Sequence, residues 1–157
     1  MIRFLLLDSG PLGLLTHPRR SAEVVAINDW LLRCLLHDVQ VFVPAIVYYE
    51  LRRELLRADK VSSLARLDVF VHSNPGRYLF LTDEALHLGA ELWAKARRAG
   101  RPTAARDALD VDVLIAAQAV SLGAHSSEII IATSNRKHLS QYLAAADWTE
   151  IPFENYR

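Results

Sequence analysis

Ile2-Arg3-Phe4-Leu5-Leu6-Leu7-Asp8-Ser9-Gly10-Pro11 begins with a short apolar run that does not alternate and stops at an acid followed by turn residues. A strand wetted on one face alternates apolar and polar side chains, whereas one covered on both faces does not. The run from Ile2 to Leu7 therefore reads as a strand of a parallel sheet. The same pattern recurs at Val41-Phe42-Val43, Tyr78-Leu79-Phe80-Leu81 and Ile129-Ile130-Ile131-Ala132-Thr133, with Trp148-Thr149-Glu150-Ile151 as a fifth candidate.

Helical patterns fill the intervals. Ser21 caps a helix from about Ala22 to His37, whose apolar side is Val24, Val25, Ile27, Leu31, Leu32, Leu35 and Leu36. Pro44 stands where a helix begins and its missing N–H costs nothing, so a helix follows from Ala45 to about Ala58. Another runs from Ser62 to His72 and ends at Asn74-Pro75-Gly76. Thr82-Asp83-Glu84 opens the next with a hydroxyl cap and two first-turn acids, and Arg97, Arg98 and Gly100 close it. Gly100 to Asp107 reads as a loop, and Asp110 to Leu122 as a helix rich in Ala, Ile and Leu. Strands alternating with helices imply right-handed crossovers. The expected architecture is a three-layer α/β/α domain spanning residues 1–157, with a mostly parallel central sheet of four to five strands.

Composition narrows the function. Of 157 residues, 52% are hydrophobic and 23% charged, enough to bury a core without a disulfide or metal staple. Eighteen Lys+Arg balance eighteen Asp+Glu, so no global field would hold the chain on a polyanion, and any such contact needs a local basic patch. The single cysteine, Cys34, lies in Trp30-Leu31-Leu32-Arg33-Cys34-Leu35-Leu36 and reads as a buried, inert thiol. It excludes an internal disulfide and fits a cytoplasmic setting. Asp8 cuts the N-terminal apolar run short of a signal peptide, and no stretch approaches a membrane span.

Ligands of an open parallel sheet sit beyond the carboxyl ends of its strands. Asp8 ends the first strand there, Asp110 and Asp112 open the helix after the loop, and Thr133-Ser134-Asn135 ends the fourth strand. Glu50 lies two turns into the helix after the second. Hard oxygen donors without thiolates or paired histidines suit Mg2+ or Mn2+ rather than zinc. Taken singly, each residue has a plainer role: Asp8 and Asn135 as caps, Glu50 as a solvated helix residue beside Arg53 and Glu54, Asp110 and Asp112 as acids favoured by the helix dipole. Their joint placement is what points to a site.

Those residues fall in four segments that resemble a known family. Leu6-Leu7-Asp8-Ser9-Gly10-Pro11-Leu12 resembles the first motif of the PIN-domain ribonucleases, the family of the VapC-type toxins of bacterial toxin–antitoxin pairs. Val43-Pro44-Ala45-Ile46-Val47-Tyr48-Tyr49-Glu50-Leu51 is similar to the second, and Asp110-Val111-Asp112-Val113-Leu114-Ile115-Ala116-Ala117-Gln118-Ala119 to the third, with its acid at Asp112. Ile131-Ala132-Thr133-Ser134-Asn135-Arg136-Lys137-His138-Leu139 resembles the fourth, with Asn135 where other members carry Asp. The resemblance implies a PIN-like fold and a metal-dependent endoribonuclease. Asp8, Glu50 and Asp112 would hold Mg2+ or Mn2+, Asn135 and Thr133 would position a water or substrate oxygen, and Ser9 and Asp110 would be auxiliary. It also implies a homodimer and a small antitoxin partner.

Arg97, Arg98, Arg101 and Arg106 precede the third motif without an intervening acid and form the expected RNA-facing patch. Two other readings stand beside this one. Asn135 removes a charge, which fits a catalytically weakened PIN-fold module that binds RNA or a protein. A phosphoaspartyl receiver or phosphatase-like protein also places Asp after the first strand, but Ser9 and Gly10 replace the second acid of the phosphatases, and Leu81 leads to Thr82 where a receiver carries its Asp.

Overall fold

The computed structural model describes residues 1–102 and 110–152. Its centre is a five-stranded sheet made of β1 (Phe4–Leu7), β2 (Gln40–Pro44), β3 (Tyr78–Leu79), β4 (Ile129–Ala132) and β5 (Ala145–Ala146), in the order β3-β2-β1-β4-β5. Every pairing is parallel. Leu5, Leu6 and Leu7 of β1 are fully buried, as is Ile131 of β4, because these strands have neighbours on both sides and helices above and below.

The helices are α1 (Ser9–Leu15), α2 (Ala22–Leu36), α3 (Ala45–Arg57), α4 (Val61–His72), α5 (Asp83–Arg98), α6 (Val111–Val120) and α7 (Arg136–Leu139). The chain moves outward from β1 to β2 and β3, then returns across the sheet to β4 and β5. Right-handed crossovers in opposite directions put the intervening helices on opposite faces, giving the three-layer α/β/α arrangement. The reversal of strand order falls between β1 and β4, the place where open parallel sheets take their ligands.

Several caps form as the sequence indicates. The Ser21 and Thr82 side chains accept hydrogen bonds from the N–H groups of Val24 and Ala85 at 3.3 and 3.1 Å. Three elements depart from expectation. Ser9-Gly10-Pro11 is the first turn of α1, not a loop: proline is tolerated there because a first-turn N–H has no partner inside the helix. The fifth strand is Ala145–Ala146, while Trp148–Glu150 forms a 3-10 turn capped by Asp147. Trp148 instead packs on the buried Trp30, ring centroids 5.8 Å apart. The third strand is shorter than its apolar run, covering only Tyr78 and Leu79. The loop expected at Gly100 to Asp107 falls mostly among residues 103–109, outside the described residues.

Cys34 is fully buried, and burial pushes its thiol up to about 12, the inert behaviour expected of it. Among the described residues, no helix is long and apolar enough to cross a membrane.

Candidate functional site

The strand register places the site. Leu6 faces Phe42 on one side, and Leu7 faces Ala132 on the other, so Asp8 continues a row with Pro44 and Thr133 at the carboxyl edge. The Asp8 N–H donates to the Ala132 carbonyl at 3.0 Å, anchoring the residue to the end of β4. Its side chain is nearly buried and held at both oxygens. Oδ1 accepts from the Ser9 N–H at 2.7 Å, and Oδ2 accepts from the Thr133 hydroxyl at 2.6 Å. Asp8 is thus also the N-cap of α1, so the plainer role read from sequence coexists with its place at the reversal of strand order.

Two more acids come in from separate helices. Glu50 is half-buried on α3; burial first and the negative Asp8 second push its carboxyl above the ordinary range. A hydrogen bond from the Ser9 side chain and the nearby Arg53 charge oppose that rise. Asp112 lies in the first turn of α6, and its pKa is pushed up to about 6, first by burial and then by the charges of Asp8 and Asp110. Glu50 and Asp112 each lie within electrostatic reach of Asp8, their common neighbour.

Asp110 is the N-cap of α6, not its first helical residue. Its carboxylate accepts from the Val113 N–H at 3.3 Å. Thr133 is buried, and besides donating to Asp8 its hydroxyl accepts from the Asn135 N–H at 2.9 Å. Asn135 is exposed and precedes α7, but its side chain makes no cap bond, lying instead 3.4 Å from His138 Nδ1. The same Nδ1 stands 3.2 Å from Asp112 Oδ2 and counters the rise in the Asp112 pKa. His138 thus contacts Asp112 directly, where the sequence suggests a structural residue or one that supports the site from behind. Its only sequence signal is its place inside the fourth motif.

Gln118 is a second residue that sequence reasoning misses. It is 0% exposed, and its Nε2 donates to the Leu79 carbonyl at 2.7 Å while Oε1 accepts from the Ile46 N–H at 3.5 Å. One amide thus ties α6 to the end of β3 and the start of α3, fixing Asp112's helix against Glu50's. A lone amide within Ala116-Ala117-Gln118-Ala119 is the clue that the sequence offers.

The expected basic patch is only partly described. Arg97 sits over the Trp93 ring at 4.5 Å, Arg98 Nε donates to the Ala94 carbonyl at 3.3 Å, and Arg101 is exposed just past the end of α5. Arg106 lies outside the described residues. Among the described residues, no three of the acids, histidines and cysteines are drawn into a ready-made metal cage. The donors at the end of β1 nevertheless match a hard divalent cation in kind: carboxylate oxygens, two of them raised in pKa by burial and then by neighbouring negative charge.

No family model and no curated protein matches the sequence. Solved structures do match. FitAB bound to an IR36 DNA fragment aligns with a TM-score of 0.68 at 22% identity, over 96% of this chain and 99% of that one. VapBC2 from Rickettsia felis, bound to a promoter DNA fragment, aligns with a TM-score of 0.65 at 17% identity, over 92% and 98%. The fold is that of the PIN domain. FitAcB from Neisseria gonorrhoeae shares it, with a TM-score of 0.67 at 22% identity over 94% of this chain and 99% of that one. Within the PIN fold of this chain, Asp8 at the end of β1 is hydrogen-bonded to Thr133, and its charge reaches Glu50 and Asp112.

Proposed function

We propose that this chain is a metal-dependent endoribonuclease and the toxin of a toxin–antitoxin pair. The observation that carries the reading is the pairing of Asp8 with Thr133 at the sheet's reversal point, with Glu50 and Asp112 both raised by burial first and by the Asp8 charge second. Carboxylates crowded in this way are stabilised by a divalent cation more than by water, which is the chemistry that phosphodiester hydrolysis needs.

In this reading Asp8, Glu50 and Asp112 hold Mg2+ or Mn2+. When bound, the ion supplies a water of lowered pKa and positive charge at the crowded phosphorus centre. The Thr133 hydroxyl and the Ser9 N–H keep Asp8 fixed in place. Ser9 orients Glu50, and His138 with Asp110 sets the charge on Asp112. Asn135 stands at the open rim, where its amide offers a neutral hydrogen-bonding group to a water or substrate oxygen. Arg97, Arg98, Arg101 and Arg106 supply the positive patch that an otherwise neutral protein needs to hold a polyanion.

The toxin assignment, a small antitoxin partner, a homodimer and a cytoplasmic setting are supported by the motif resemblance and by structural neighbours solved as VapBC and FitAB with DNA. The test is incubation of purified protein with structured RNAs and Mg2+ or Mn2+, beside Asp8→Ala. Cleavage by the parent chain that disappears in the variant and in EDTA is expected; identical behaviour of the two proteins refutes the nuclease reading.

A further inference from the structure

The row that contains Asp8 continues to the far edge of the sheet, because Pro44 faces Leu79. Phe80 is one residue beyond that row. Two strand spacings separate β3 from β1, placing Phe80 about 10 Å along the carboxyl edge from Asp8. Its ring is 70% exposed.

The ring is not loosely held. It meets Tyr78 edge-on, centroids 5.0 Å apart and planes at 85°, and Tyr78 meets Tyr48 in the same way at 5.7 Å and 88°. His72 lies 5.6 Å from each of those tyrosines. The Tyr48 hydroxyl donates to Asp68 at 2.8 Å, and Arg52 donates to both of them. Gln118 holds the Leu79 carbonyl immediately before Phe80. An aromatic ring so braced loses little further freedom on binding, and its π face is the surface on which an unpaired base stacks.

We propose that Phe80 is a stacking platform for an unpaired RNA base a short stretch of strand away from the phosphate held at Asp8. The proposal rests on the nuclease reading and adds to it a named base-stacking contact.

The experiment uses the full chain carrying Asp112→Asn, which binds without cutting, and RNA oligonucleotides bearing 2-aminopurine. Phe80→Ala is expected to weaken single-strand binding about tenfold and to abolish quenching of the probe base. Phe80→Trp retains both, and binding of a blunt RNA duplex is indifferent to either change. Unchanged affinity and quenching in a folded Phe80→Ala protein overturn the platform. So does a loss confined to self-association in sedimentation, which makes Phe80 a contact between copies. If the parent chain cuts RNA while Phe80→Ala binds as before, the platform alone fails; if no RNA is bound or cut, the nuclease reading fails and takes the platform with it.

Discussion

Asp112→Asn should make this protein more stable at pH 8 while destroying its proposed chemistry. The ionised Asp112 is disfavoured by burial and by the charges of Asp8 and Asp110, which move its pKa from 3.8 to about 6. At 1.36 kcal/mol for each tenfold change, that displacement is worth about 3 kcal/mol. The side chain is only 19% exposed, so solvent screening removes little of it. A raised carboxyl pKa favours the folded state fully below the unfolded value near 3.8, and the advantage is lost as pH rises through about 6. Asparagine keeps an oxygen for His138 and carries no charge, so the variant should gain up to about 3 kcal/mol on the parent at pH 8 and lose that gain towards pH 4. For a chain of this size the gain corresponds to a midpoint shift of up to about 10 °C. Urea denaturation at pH 4, 6 and 8 in EDTA and 0.15 M salt measures it, and millimolar Mg2+ at pH 8 should narrow the gap by stabilising the parent alone. A variant no more stable than the parent at pH 8, or a gap independent of pH, refutes the crowding on which the site rests.

Thr133→Val removes the hydroxyl that binds the nearly buried Asp8 carboxylate and should cost about 1.5–3 kcal/mol, most of it spared by Thr133→Ser. Equal urea midpoints for the two variants would contradict that. Gln118→Leu leaves the Leu79 carbonyl without its partner and should cost about 1–3 kcal/mol by the same measurement. Arg101→Glu should flatten the log–log salt dependence of RNA affinity by roughly 0.7 for each phosphate no longer neutralised; an unchanged slope removes Arg101 from the patch.

Strand ends were legible where a polar residue interrupts a run too apolar to be anything but a covered strand. Asp8 after Leu5-Leu6-Leu7 is the clearest case, and its row partners follow from the parallel register. Helices with hydroxyl caps were equally plain, as at Ser21 and Thr82. What sequence concealed was set by partners far along the chain. Asp112 and His138 meet across 26 positions, and the amide of Gln118 reaches 39 positions back to Leu79. Local signals also misled where two roles compete for the same residues. Gly10 and Pro11 are turn formers, yet both are tolerated in a helix's first turn, which hid α1. The fifth strand escaped because Ala145 and Ala146 have no apolar period and favour helices, while the β-prone Trp148 and Ile151 served the core by side-chain packing.

The sheet tapers from five and four residues in its middle strands to two in each outer strand. An outermost strand of that length offers a visiting chain almost no row of free amides and carbonyls to extend. Recognition of this molecule by another protein must therefore be written in side chains, and an inhibitor built as an extended β-ribbon would find nowhere to zip on.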